Sequence, residues 1–314
     1  MEQLLKDAER IRSLEIQGAS NVAISAIDFL SRYAKRIDCI DLDNCISKLQ
    51  DAKKLLEETR VTEPAMRNGL NYIMNKIKNS KTELDVKEIP AIIEVLKNEY
   101  KTMFQASKRK IAEIGARRIP DMESDDDFIV MTHCHSSAVS AILLEAKKQG
   151  KDNFKVINTE TQPRLQGRKT AKKLLSAGIE VMYVVDSAMR WAVNHFEVDM
   201  IIVGADSITS EGTVLNKIGT RLLALVAHEE HVPFYVASQL LKYNPDTTLG
   251  ILEKIEMREP KEIWDYEHKN LTILNPAFET VSRRYIDGLI TEAGIFASSH
   301  VPNYFAKLYP DLIS

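Results

Sequence analysis

Short apolar runs alternate with amphipathic stretches from residue 128 onward, and this alternation constrains the fold more than any other feature of the chain. The runs have the length of buried strands, whereas the stretches at 137–149 and 218–229 have helical spacing. Strands that alternate with helices in this way are typical of βαβ units. We therefore predict a Rossmann-like, mostly parallel α/β domain over residues 116–314, with strands at 128–131, 154–157, 181–185, 200–203, 234–237, 271–274 and 286–290.

Residues 1–115 have a different pattern, which predicts an N-terminal helical domain ahead of the α/β domain. Leu4, Ala8 and Ile11 recur at helical spacing and lie on one face of the first predicted helix. Ser20 is the predicted N-cap of the next helix. Pro90 suits the first turn of a long helix that ends at Gly115.

Charge and composition exclude several classes of protein. The 314 residues carry a formal net charge of −3, without the basic excess of a nucleic-acid-binding domain. No run approaches the roughly 20 apolar residues that span a bilayer, and the N-terminus lacks the apolar core of a secretory signal. Cys39, Cys45 and Cys134 are too few for a disulfide framework. We expect a cytoplasmic protein whose partners are neither nucleic acid nor membrane.

Cys134 follows the first predicted strand and precedes a helix that begins near Ser137. Ligands of open α/β sheets bind at the carboxyl ends of the strands, so this position favours a reactive thiol. The positive end of the helix, with protonated His133 or His135, is expected to stabilise the thiolate and lower the pKa of Cys134. The alternative is a buried, inert cysteine.

Asp206 follows the predicted strand at 200–203 through the small residues Gly204 and Ala205. Small residues allow a ligand to approach the backbone closely, and a carboxyl group at a strand end suits general acid–base catalysis. The alternative is a structural aspartate in a turn or helix cap. The pairing of one thiol with one carboxyl group, each after a strand, favours catalysis.

The His133-Cys134-His135 sequence also raises the question of a metal site. Consecutive residues of an extended segment point to opposite sides, so these three do not surround one tetrahedral ion. We predict no metal site and no cofactor. Either histidine is alternatively a packing residue.

Several residues at predicted turns and helix starts are candidate binders of an anion. Helix N-terminal amides, hydroxyl groups and fixed positive charges all suit a phosphate group. For Arg60 the alternative is a surface salt bridge. The candidates are Gly18, Ala19, Ser20, Arg60, Ser136, Ser137, Asn216, Lys217 and Lys242.

Four strings resemble the superfamily that contains methylthioribose-1-phosphate isomerases and initiation factor 2B regulatory subunits. They are Thr-His-Cys-His-Ser at 132–136, Glu-Thr-Gln-Pro-Arg-Leu-Gln-Gly at 160–167, Gly-Ala-Asp-Ser-Ile at 204–208 and Asn-Lys-Ile-Gly-Thr at 216–220. The first string, with Tyr-Val-Val-Asp-Ser at 183–187 and Ile-Glu-Met-Arg-Glu-Pro at 255–260, is similar to the archaeal ribose 1,5-bisphosphate isomerase branch.

The resemblance implies a helical domain joined to a Rossmann-like domain, with subunits that pair through the latter into a dimer or a trimer of dimers. It implies that Cys134 and Asp206 are the catalytic pair, and it favours Cys134 as the base and Asp206 as the acid. The implied substrate contacts are Gln17, Gly18, Ala19, Ser20, Arg60, His135, Ser136, Ser137, Asn216, Lys217 and Lys242.

The implied reaction is the aldose–ketose isomerisation of ribose 1,5-bisphosphate to ribulose 1,5-bisphosphate, in a route that carries the ribose of AMP and other nucleotides to Rubisco. Two other functions stay open: a non-catalytic initiation factor 2B-like subunit that binds a nucleotide or sugar phosphate, and a methylthioribose-1-phosphate isomerase. The presence of both Cys134 and Asp206 favours an enzyme.

Two positions depart from the pattern of this superfamily. Gln17 and Gln162 stand where arginine is usual, and glutamine donates hydrogen bonds to phosphate without supplying charge. The nearby cations that are candidates to compensate are Arg117, Arg164 and Arg168.

Overall fold

The computed structural model describes residues 1–60, 62–80, 84–121, 127–251 and 254–312. The chain forms two compact units. The first comprises residues 1–106, 241–243 and 303–314, and the second comprises 107–240 and 244–302. The boundary lies inside one long helix, before the expected boundary at residue 115, and two later segments return to the first unit.

The first unit is helical, as predicted for the N-terminal region. Leu4, Ala8 and Ile11 are buried on one face of the first helix. Ser20 is not the N-cap of the second helix, because the left-handed backbone at Gly18 (φ +84°) turns the chain into the helix two residues earlier. The helices are α1 (Glu2–Arg12), α2 (Ala19–Ala34), α3 (Leu42–Glu57), α4 (Pro64–Asn79), the start of α5 (Ile89–Ala116) and most of α10 (Val301–Leu308).

The second unit contains the predicted mostly parallel sheet, of seven strands among the described residues, in the order β10-β9-β7-β4-β1-β2-β3. Only β10 runs antiparallel to its neighbour. Val130 pairs with Val156 and Met131 with Ile201, so β1 lies between β2 and β4. The strands are β1 (Phe128–Thr132), β2 (Phe154–Thr159), β3 (Glu180–Val184), β4 (Met200–Val203), β7 (Phe234–Ala237), β9 (Gly288–Thr291) and β10 (Gly294–Phe296).

Helices pack on the sheet through fully buried apolar side chains. Ile111 of α5 and Ile142 join Val130, Val156 and other strand residues in one hydrophobic core, whose removal from water is the main stabilising contribution. The α/β fold predicted from the sequence is therefore confirmed. The helices of this unit are α6 (Ser137–Lys148), α7 (Gly167–Leu175), α8 (Met189–His195) and α9 (Thr220–Glu229).

A second, antiparallel sheet was not predicted. It consists of β5 (Ser207–Ile208), β6 (Val214–Lys217) and β8 (Phe278–Val281), in that order. The prediction of a strand at 271–274 was wrong: Leu274 is 69% exposed, and the chain joins a ladder only from residue 276 onward. The helix predicted from residue 218 begins at Thr220, because Asn216 and Lys217 are held in β6.

No helix among the described residues is long and apolar enough to cross a membrane.

The turn from β2 into α7 brings two backbone segments very close together. Gly167 opens α7, its amide donates to the Glu160 carbonyl oxygen (3.2 Å), and its own carbonyl accepts from the Asn158 side chain (2.8 Å). A Cβ atom at Gly167 would lie 1.8 Å from the Thr159 carbonyl oxygen. Only glycine fits here without moving the backbone.

We expect Gly167→Ala to reduce the free energy of unfolding by about 3 kcal/mol, because the added methyl group meets backbone atoms that have no alternative position. Urea denaturation followed by circular dichroism measures the change. The control is Lys172→Ala, an exposed position on the same helix, with an expected change within about 0.5 kcal/mol. Equal losses in the two variants would contradict the steric explanation.

Candidate active site

Cys134 lies at the carboxyl end of β1, between the strand and α6, as predicted. Its backbone is left-handed (φ +69°), an unusual conformation for a non-glycine residue that is held by neighbouring contacts. The Cys134 amide donates to Thr161 Oγ1 (3.0 Å), and its carbonyl oxygen accepts from Thr170 Oγ1 (2.9 Å). The residue is thus fixed by hydroxyl groups of the next strand end and of α7.

The electrostatic prediction for Cys134 was wrong. Desolvation raises the pKa of the thiol to about 11, and the nearby charges of Asp206 and Asp186 act in the same direction. The positive charge of Lys217 is the largest opposing influence. Because removal of water outweighs the helix end and Lys217, the thiol keeps its proton at neutral pH.

The histidines on either side do not supply the expected positive charge. Burial lowers the pKa of His133. Desolvation also lowers the pKa of His135, and so do Lys173, Lys169 and Lys108. Both imidazole rings are therefore neutral near pH 7.

Asp206 is placed by the junction of the two sheets. A Cβ at Gly204 would lie 2.7 Å from the Ser136 side chain, so glycine allows the end of β4 to approach the start of α6. The Asp206 amide donates to the Leu215 carbonyl oxygen of β6 (2.9 Å). Asp206 is therefore locked to the strand that ends in Lys217.

Lys217 is the third member of this group and is only 6% exposed. Desolvation lowers the pKa of its ammonium group, whereas the negative charges of Cys134 and Asp206 favour its charged form. Its Nζ lies 4.9 Å from the centre of the Phe278 ring, a cation–π contact. Cys134, Asp206 and Lys217 are therefore electrostatically coupled at one edge of the second unit.

The two candidate phosphate-binding helix ends of the second unit differ. At α9, Glu279 Oε1 accepts from the Gly219 amide (2.5 Å) and the Arg221 amide (3.0 Å), so these two amides already have a carboxylate partner. Asn216 Nδ2 donates to Thr220 Oγ1 (3.0 Å). At α6, Ser136 is the N-cap and accepts from the Val139 amide (3.3 Å), with Ser137 at the first helical position.

The remaining predicted residues belong to the first unit. Gln17 Nε2 donates to the Leu14 carbonyl oxygen (2.7 Å), just before the Gly18 N-cap and the first helical residues Ala19 and Ser20. Arg60 is buried, not at the surface, and pairs with Glu63 (3.1 Å). Lys242 lies in a short 3-10 helix at 240–242, whose neighbouring carbonyl groups at Leu241 and Tyr243 accept from Asn68 (2.8 Å each).

The cations expected to compensate for the glutamines are mostly engaged. Arg164 pairs with Glu262 (2.7 Å) and Arg168 with Glu160 (2.8 Å), while Arg117 is exposed in the turn that follows α5. Gln162 itself donates to Glu160 Oε2 (3.1 Å).

Sequence reasoning missed two structural carboxylates. Asp186 accepts from the amides of Thr161 (2.8 Å) and Gln162 (2.7 Å) and so fixes the loop beside Cys134. Its position after β3 was a signal of function. Glu279, which caps α9, lies within a short strand and carried no such signal.

Comparison with known proteins gives consistent matches over nearly the whole chain. The Initiation factor 2 subunit family matches residues 15–298. The ribose 1,5-bisphosphate isomerase of Thermococcus kodakarensis is 39% identical over 312 residues, which cover 98% of this chain and 93% of that protein. The corresponding protein of Archaeoglobus fulgidus is 40% identical over 296 residues, 94% of this chain and 90% of that one.

Solved structures and other relatives extend the match. A Pyrococcus horikoshii translation initiation factor eIF-2B structure has a TM-score of 0.78 at 29% identity, covering 95% of this chain and 98% of that chain. A 5-methylthioribose 1-phosphate isomerase from the same organism has a TM-score of 0.77 at 24% identity, covering 97% and 88%, and shares the fold. The resemblance inferred from the sequence motifs is confirmed, and the chain belongs to the Initiation factor 2 subunit family.

Proposed function

We propose that this protein is a sugar-phosphate isomerase that converts ribose 1,5-bisphosphate to ribulose 1,5-bisphosphate. The observation that carries the proposal is the electrostatic coupling of Cys134, Asp206 and Lys217 at the carboxyl edge of the sheet. Relatives about two-fifths identical over most of the chain bear the name of this activity. A non-catalytic regulatory subunit has no need for a thiol, a carboxyl group and a buried ammonium group in one place.

The proposed reaction uses four proton transfers, two by each residue. Asp206 gives a proton to the ring oxygen, which opens the ring, and the Cys134 thiolate removes the proton from carbon 2. The resulting enol phosphate receives the Cys134 proton at carbon 1, and its hydroxyl proton passes to Asp206. Both residues then return to their starting states, and the carbonyl group stands at carbon 2.

Lys217 is the group that favours deprotonation of the Cys134 thiol. The pKa of Cys134 is raised to about 11, so the base form is scarce at neutral pH, and the charge of Lys217 is the largest opposing influence.

We propose that the reaction proceeds in the cytoplasm and links the ribose of AMP and other nucleotides to Rubisco, as the resemblance implies.

We expect Cys134→Ser and Asp206→Asn each to reduce kcat about a thousandfold, because each removes one partner of the proton transfers. A discontinuous assay of ribulose 1,5-bisphosphate formation measures the rate, and Cys39→Ser is the control for loss of a thiol elsewhere. Full activity in both site variants would overturn the proposal, as would absence of turnover in the wild-type protein.

The pH profile of the wild-type enzyme distinguishes the roles of the pair. If Cys134 is the base, kcat rises with pH on the alkaline side, because the thiolate population grows toward a pKa of about 11. A kcat that falls over the same range would make Cys134 the acid and Asp206 the base.

Three lysines near His135 support a substrate that carries a phosphate group. Lys108 of α5 and Lys169 and Lys173 of α7 all act on the pKa of His135. Lys173 also helps burial to lower the pKa of Lys108, so these cations crowd one another. None of the three has a salt-bridge partner within the ranges that the structure describes. Clustered cations without acidic partners attract a doubly charged anion.

We expect Lys108→Gln and Lys173→Gln to raise the KM for ribose 1,5-bisphosphate about tenfold, through loss of charge-assisted contacts to phosphate. Steady-state kinetics measure the effect. The control is Lys172→Gln on the same helix, with an unchanged KM. A rise in KM that is equal for Lys172→Gln would show that overall charge, and not a phosphate site, is responsible.

We also propose that the protein is a homo-oligomer, a dimer or a trimer of dimers, paired through the second unit. Large apolar side chains are exposed there, and patches of this kind mark protein interfaces. Trp264 stacks on Tyr266 at a centroid distance of 4.6 Å, although both are about half exposed. The exposed residues include Trp191, Leu222, Leu225, Leu249, Ile251, Met257, Ile263, Trp264, Tyr266 and Leu274.

We expect Trp264→Glu to shift the protein toward monomer, because it places a charge in an apolar interface. Size-exclusion chromatography with light scattering measures the mass. The control is Ile40→Glu, an 88% exposed position in the first unit, which should leave the mass unchanged. A monomeric wild-type protein would contradict the proposal.

A further inference from the structure

His133 is a buried histidine for which the proposed reaction has no direct use. It follows β1, is 1% exposed, and has a partner at each ring nitrogen. Nδ1 lies 2.6 Å from Thr159 Oγ1 at the end of β2. Nε2 lies 2.7 Å from the Ile218 carbonyl oxygen, between β6 and α9.

The two partners determine where the ring proton lies. Burial lowers the pKa of His133, so the ring is neutral and carries a single N–H group. A carbonyl oxygen only accepts, so Nε2 donates to Ile218 and Nδ1 accepts from the Thr159 hydroxyl. The charged groups that act on the ring are Asp186, whose Oδ1 is 3.9 Å from Nδ1, and Lys217.

The segment after Lys217 is held from two directions. A Cβ at Gly219 would lie 2.9 Å from His133 Nε2, so the backbone of this segment rests directly on the ring. Glu279 Oε1 accepts from the Gly219 amide (2.5 Å). His133 ties this segment to the turn after β1 that also contains Cys134.

We propose that His133 is a positioning residue, whose Nε2–H bond to Ile218 holds Lys217 in place beside the Cys134 thiol. The proposal rests on the proposed function only in assigning Cys134 and Lys217 to one site. The reason is geometric: His133 is adjacent to Cys134 in the chain and bonds the residue adjacent to Lys217. Loss of that bond removes the direct link between the two reactive groups.

Two substitutions separate the bonds of the ring. In His133→Gln the side-chain amide nitrogen reaches the Nε2 position and keeps the donor to Ile218. In His133→Asn the shorter side chain reaches only the Nδ1 position and loses that donor. Both variants keep a neutral, polar side chain of similar character, so they test one hydrogen bond and not polarity.

The measurement is the pH dependence of Cys134 alkylation by iodoacetamide, read from the Cys134 peptide by mass spectrometry. Lys217 lowers the pKa of Cys134, so its displacement raises the midpoint. We expect His133→Asn and Lys217→Met each to raise the midpoint by about one pH unit, which is about tenfold slower alkylation at a fixed pH below the midpoint. His133→Gln should stay close to wild type.

A double variant tests whether the effect passes through Lys217. We expect His133→Asn combined with Lys217→Met to have the midpoint of Lys217→Met alone, because the charge to be positioned is already absent. Additive shifts would overturn the proposal, and so would a wild-type midpoint in His133→Asn or an equal shift in His133→Gln.

If His133→Asn does not fold, Gly219→Ala provides the second test, because it pushes the same segment away from an intact ring and should raise the midpoint too. An unchanged midpoint in a folded Gly219→Ala protein would overturn the proposal. Alkylation needs no substrate, so these results judge His133, whereas absence of isomerase turnover in the wild-type protein judges the proposed function.

Discussion

Removal of water from two groups of opposite charge is the constraint on which this site depends. Desolvation raises the pKa of Cys134 and lowers that of Lys217, so burial favours the neutral form of each group. Their mutual attraction opposes both shifts. The free-energy cost of forming the thiolate and the ammonium ion side by side is therefore smaller than the cost of forming each buried charge alone. The fold has to keep the two groups near each other for this attraction to act.

Much of the fold could be predicted from the sequence, because buried parallel strands are nearly continuous apolar runs. The strands at 128–131, 154–157 and 200–203 are obvious for this reason, and their polar ends identified Cys134 and Asp206 as candidates. The short antiparallel sheet was missed because β5 and β6 are brief and β6 ends in polar residues. The stretch at 271–274 was wrongly predicted as a strand because its apolar spacing is strand-like, although Leu271 and Leu274 are exposed.

The chemistry at the site was harder to predict than its location. The position of Cys134 before a helix indicated a stabilised thiolate, but sequence gives no measure of how much water the surrounding side chains remove. The capping of α9 by Glu279 depends on a strand sixty residues away from Gly219 in the chain. Contacts of this kind follow from tertiary packing, and no local pattern reports them.

The hairpin that carries Asp206 and Lys217 has a mechanical consequence. The Asp206 amide is bonded to Leu215, and β6 ends two residues later at Lys217, so the carboxyl group and the ammonium group belong to one stiff piece of backbone. Cys134 belongs to another, the end of β1. A displacement of the hairpin therefore leaves the spacing within the first pair almost constant and changes the distance of both groups to the sulfur together. The fold thus positions the acid and the cation as one unit with respect to the thiol.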